Sequence, residues 1–106
     1  MTTNPTPVPP APPVACTLGP RDYEARIARL GALAERALRS RAAIDGGARL
    51  TFRDSPDVER DLRAAVAAEA SCCPFMTMRL ERRGEGLVLD VTGPPEAEPV
   101  IAALFA

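Results

Sequence analysis

The chain predicts an α+β fold: a two-layer sandwich in which a small, mostly antiparallel sheet is covered by helices. Three observations carry this. Apolar residues recur every three or four positions over long stretches, as in amphipathic helices. They alternate over three short stretches, as in half-buried strands. Glycine, proline and aspartate punctuate the transitions. With 106 residues, 46% hydrophobic and 25% charged, the chain has the size and composition of one globular domain. The predicted order of elements is α-β-α-β-β-α.

Residues 1–14 contain Pro5, Pro7, Pro9, Pro10, Pro12 and Pro13. Proline removes backbone donors and favours extended polyproline II, so residues 1–14 are expected to be a disordered tail and 15–106 a single α+β domain. A PxxP ligand is the alternative reading of the tail. A first helix is expected from Asp22 to about Ala43, with Tyr23, Ile27, Leu30, Ala34 and Leu38 on one stripe. Its arginines (Arg26, Arg29, Arg36, Arg39 and Arg41) alternate with acids and are expected to form a solvated face. Ile44-Asp45-Gly46-Gly47 has the chemistry to end that helix, and Leu50-Thr51-Phe52-Arg53 alternates as a strand.

Asp54-Ser55-Pro56-Asp57 is a helix start: Ser55 suits the N-cap, Pro56 the first helical position, and Asp57 the positive end of the dipole. The second helix should run to about Cys72, with Val58, Leu62, Ala65, Val66, Glu69 and Cys73 on one stripe. Pro74 biases Cys73 out of helical geometry and ends it. Met76, Met78 and Leu80 alternate with polar residues, Arg83-Gly84-Glu85-Gly86 turns the chain, and Leu87, Leu89 and Val91 alternate again, which makes a β-hairpin. Glu96 to Phe105 closes as a short helix.

Composition excludes much chemistry. Without histidine, Ser-His-Asp and Cys-His nucleophiles and Cys2His2 zinc sites are impossible within the chain. A net charge of −1 gives no electrostatic case for nucleic acid or an anionic membrane. No run approaches the ~18–20 apolar residues of a membrane span, and the N-terminus lacks the basic and apolar regions of a secretory signal. A cytosolic location is therefore expected, where thiols stay reduced; three cysteines agree, since they cannot all pair.

Two of those cysteines are adjacent, Cys72 and Cys73. Consecutive Cα atoms lie about 3.8 Å apart, whereas relaxed disulfides span roughly 5.5–6 Å, so the pair is a poor structural staple. It is suited to gripping one soft ion or passing a disulfide on. The pair sits at the negative end of the second helix, where the dipole opposes thiolate formation, which argues against a constitutively activated nucleophile. Coordination reverses that logic by deprotonating the thiol itself. Thiolates select Zn²⁺ or Cu(I), and by the same softness Hg(II) and As(III). Cys16 is a candidate third thiolate, and Glu69, three and four residues before the pair, a fourth donor or orienting group. A carboxylate on an apolar stripe needs a metal, an arginine or a backbone amide as partner, unless it reaches solvent at the stripe's edge. Met76 and Met78 could offer thioethers to Cu(I), although their alternation indicates core packing first.

From Cys16-Thr17-Leu18 through Glu69-x-x-Cys72-Cys73-Pro74-Phe75 to the closing helix, the chain resembles a group of small bacterial proteins of unassigned activity, associated with heavy-metal-responsive genes of the MerR type. The likeness covers most of residues 15–105, and its specific part is E-x-x-C-C-P-F. It implies a soft-metal role, with mercury or another soft ion ahead of zinc, and a metal-responsive regulator or thiol carrier as partner. It transfers no catalytic residue. Organomercurial lyase and the ferredoxin-like mercury carriers are not matched, the Cys-x-x-Cys of the latter being absent.

The first expectation is thus a soft-metal or metalloid binding protein using Cys72, Cys73, Cys16 and Glu69, with at least one thiol reachable from solvent. A thiol-disulfide or metalloid-reducing enzyme is the second. An interaction module with structural cysteines is the third.

Overall fold

The structure, a computed structural model, describes the backbone of residues 20–84 and 86–105 and the side chains of 24–71, 73–84 and 86–105. The predicted tail at 1–14, together with Cys16 and the Tyr23 side chain, lies outside the described residues. The elements are α1 (Pro20–Ala37), β1 (Leu38–Ile44), β2 (Gly47–Arg53), α2 (Pro56–Cys72), β3 (Thr77–Arg83) and β4 (Gly86–Thr92), then a 3-10 turn (Pro95–Ala97) leading into α3 (Glu98–Ala103). The four strands form one sheet in the order β1-β2-β4-β3, with every neighbouring pair antiparallel.

The two-layer α+β class is as the sequence predicts, but the order is α-β-β-α-β-β-α. Residues 38–43, expected to be the last turns of the first helix, belong to strand β1. Leu, Arg and Ala dominate this segment and favour helix, and an edge strand with both faces wet has no alternation to betray it: residues 39–43 are all exposed. Pairing with β2 overrides the local preference. Ile44 pairs with Gly47 across a two-residue turn in which Gly46 takes φ 79°, so Asp45-Gly46 closes a hairpin and caps no helix. Gly47 must stay small, since a Cβ there would lie 1.8 Å from the Val91 carbonyl oxygen.

Register places the apolar residues of the sheet on one side. Ala48, Leu50 and Phe52 of β2 lie opposite Val91, Leu89 and Leu87 of β4, and Met78 and Leu80 of β3 lie opposite Val91 and Leu89. All three helices cover this side. Leu30, Leu33, Ala34 and Ala37 of α1, Val58 and Leu62 of α2, and Ile101, Leu104 and Phe105 at the C-terminus complete a single core. The Phe105 ring meets Phe52 edge-on at 5.3 Å. The other side of the sheet carries the bidentate Arg49–Asp90 cross-strand pair at 2.8 and 2.9 Å, with the buried Val88 among mostly polar neighbours.

The start of α2 is as predicted. Ser55 has extended backbone geometry, its hydroxyl accepts a hydrogen bond from the Val58 amide at 3.4 Å, and Pro56 occupies the first helical turn. Ser55→Ala should lower stability by about 1 kcal/mol, read as a lower thermal midpoint without loss of helical signal. No described helix is long and apolar enough to cross a membrane.

Candidate thiol site

The site grows from the buried stripe of α2. Val58 and Leu62 anchor the helix in the core, Ala65 and Val66 pack partly against it, and the same stripe next delivers Glu69 and Cys73. Cys73 caps the helix with φ −131° and ψ 70°, and its amide donates the last helical bond, 2.7 Å to the Glu69 carbonyl. Pro74 offers no amide to continue, as the sequence predicts. The Met76 amide then donates to the Cys73 carbonyl at 3.1 Å, turning the chain toward β3 with Phe75 and Met76 buried.

Glu69 and Cys73 are each only 1% exposed, and the side chain that meets them is Arg26 of α1, itself 2% exposed. Arg26 Nε lies 2.5 Å from Glu69 Oε2, a close ion pair whose alignment falls short of a directed hydrogen bond. Arg26 Nη2 donates to Cys73 Sγ at 3.5 Å. Burial pushes the Glu69 carboxyl above its ordinary range; Arg26, the Cys73 thiol and Arg29 each pull it back, less strongly. A cation, an anion and a thiol thus share one water-poor corner between α1 and the end of α2. Beside it, a groove of about 450 Å³ runs between the two helices, lined by Arg29, Ala64, Ala68 and the Arg26–Glu69 pair.

Of the residues singled out in the sequence, the structure brings Glu69 and Cys73 together. Cys72 is the last residue of α2, with its side chain outside the described residues, as is all of Cys16. Among the described residues, no group of three or more Cys, Asp or Glu side chains converges in metal-ligand fashion. Of the partners that a carboxylate on this stripe required, the structure supplies the arginine, and Glu69 does not reach solvent. Cys73 does not provide the solvent-reachable thiol. Met76 is buried in the core and Met78 packs against it.

Arg26 is the residue that sequence reasoning missed, having been assigned to a solvated face. The signal was present: Arg26 lies four residues before Leu30 and eight before Ala34, on the buried stripe itself. A carboxylate on the apolar stripe of α2 required a cation, and α1 had one at a matching position. Compared with protein-family models, with curated proteins and with solved structures, the chain finds no match in any of the three.

Proposed function

We propose that the protein binds one soft metal or metalloid ion through the vicinal thiolates of Cys72 and Cys73, for sequestration or transfer. The observation that carries this reading is the Arg26 guanidinium seated on the Cys73 sulfur at the end of α2. Two adjacent thiols suit a single soft ion better than a relaxed disulfide. Each coordinated sulfur is a thiolate, and burying that charge requires positive compensation. Arg26 supplies it where the helix terminus cannot.

In this scheme Cys73 is the retaining thiolate, held against Arg26, and Cys72 is the thiol that receives and releases the ion. Cys16, four residues before α1, is the third ligand. Glu69 acts as the orienting group by fixing Arg26. The ion is Hg(II), As(III), Cu(I) or Zn²⁺, with the softer ions favoured by thiolate donors.

The test is native mass spectrometry of the reduced full chain, purified anaerobically and offered each of the four ions in the presence of excess small thiol. One ion per chain surviving that competition is the expected result. No adduct with any of them, the protein remaining folded and reduced, overturns the reading. That outcome would favour the structural alternative, in which Cys73 is core filler, a role that its burial also fits.

A further inference from the structure

We propose that the groove between α1 and α2 docks the molecule that delivers the ion, an anionic small-molecule thiol whose carboxylate Arg29 receives while its metal passes to Cys72. The proposal rests on the soft-ion reading above and names the carrier for it.

Two rows of α2 lead to the two cysteines. The row through Val58, Leu62, Val66 and Glu69 enters the core and ends at Cys73. The row through Asp61, Ala65 and Ala68 lines the groove, and its spacings of four and three continue, with a further four, to position 72. Position 72 therefore lies on the groove-lining face of α2, one turn beyond Ala68. The groove, of about 450 Å³, is open, and its apolar lining is Leu30, Leu33 and four alanines.

Charge then chooses the occupant. Both acids of the groove are taken: Glu69 by Arg26 at 2.5 Å and Asp61 by Arg36 at 2.6 Å. Arg29 is exposed on the groove and makes no ion pair among the described residues. The groove thus offers a guanidinium, whose planar fork fits a carboxylate. The two ion pairs also set α1 and α2 antiparallel, which makes Arg29 level with the stretch just before Ala68. At 1.5 Å per residue, position 72 lies roughly 7 Å further along the axis, a span that an arginine and a short mercapto-acid cover together. Where small thiols abound they hold a soft ion, so a site that takes the ion must also accommodate what brings it. Each exchange forms one metal–sulfur bond to the protein and breaks one to the carrier. The carrier's sulfur leaves with the proton that the cysteine gives up, and no electron is transferred.

The test uses the full chain carrying Cys16→Ser and Cys73→Ser, whose single thiol must form a mixed complex, protein–S–Hg–S–R. Hg(II) is offered with equal amounts of 3-mercaptopropionate and cysteamine, thiols of similar size and opposite charge, and native mass spectrometry gives the ratio of the two adducts. Comparing that ratio between variants cancels the thiols' own affinities for mercury. Adding Arg29→Glu should lower the ratio of carboxylate to ammonium adduct about fivefold or more. Ala68→Leu, which fills the groove between Arg29 and position 72, should lower it too, whereas Arg79→Glu on the opposite side of the sheet should not. A ratio indifferent to Arg29→Glu overturns the proposal and leaves the soft-ion reading standing. So does a ratio that Ala68→Leu leaves intact, which would put the carboxylate outside the groove. No mercury adduct even on the native chain overturns both.

Discussion

Replacing either vicinal cysteine by serine is expected to abolish soft-ion binding while the domain stays folded. A hydroxyl is a hard, weakly acidic donor that a soft ion does not deprotonate at neutral pH, so each variant loses a ligand outright. The fall in affinity should exceed the ~10–100-fold that loss of an outer-shell partner brings. Folding should survive because neither change removes much apolar volume. Cys72 is the last residue of α2. At Cys73 the serine oxygen can accept the hydrogen bond that Arg26 Nη2 now gives to sulfur. Competition against a small thiol, read by native mass spectrometry, checks the affinity, and circular dichroism checks the fold. Unchanged affinity in both variants would dispose of the vicinal thiolates as the binding site.

How far such a site can be read from sequence depends on where its partners come from. The C-terminal end of α2 was legible because everything that builds it is local. Ser55 and Pro56 start the helix, the spacing from Val58 to Cys73 sets its buried stripe, and Pro74 stops it. The β3–β4 hairpin was legible for the same reason, with alternation on both sides of a glycine turn. Strand β1 was not: its residues prefer helix and its burial shows no period, so only the ladder with β2 makes it a strand. Asp45-Gly46 was a hairpin signal, masked by an arginine-rich run that reads as a continuing helix. The thiol site divides along the same line. Glu69 was identified as a carboxylate in need of a partner, but the partner lies 43 positions earlier, on another helix. Arginines on a helix are solvated so often that Arg26 looked like one more; burial by α2 makes it different.

Breaking the Arg26–Glu69 pair from one side should be the most damaging change to stability. Both groups are almost fully buried, and removing either partner of a buried ion pair typically costs about 3–5 kcal/mol, because the other charge is left uncompensated. Native domains have only about 5–15 kcal/mol in all, so Arg26→Met and Glu69→Leu should each shift chemical denaturation to much lower denaturant. The deficit of Arg26→Met has a predictable pH dependence. Burial already raises the Glu69 carboxyl above its ordinary range, and losing the guanidinium raises it further. The folded variant then holds a proton that the unfolded chain releases near pH ~4.3. Its stability therefore falls as pH rises from there, and the deficit is largest at neutral pH. The double variant Arg26→Met, Glu69→Leu removes both charges and should recover most of the loss, since apolar replacement of a buried pair is often neutral. That recovery is what separates scaffold from function. If the pair serves only packing, the double variant binds soft ions as the native protein does. If Arg26 compensates the Cys73 thiolate, the refolded double variant still binds about 10–100-fold more weakly. A domain restored in stability but not in affinity would place Arg26 in the binding chemistry itself.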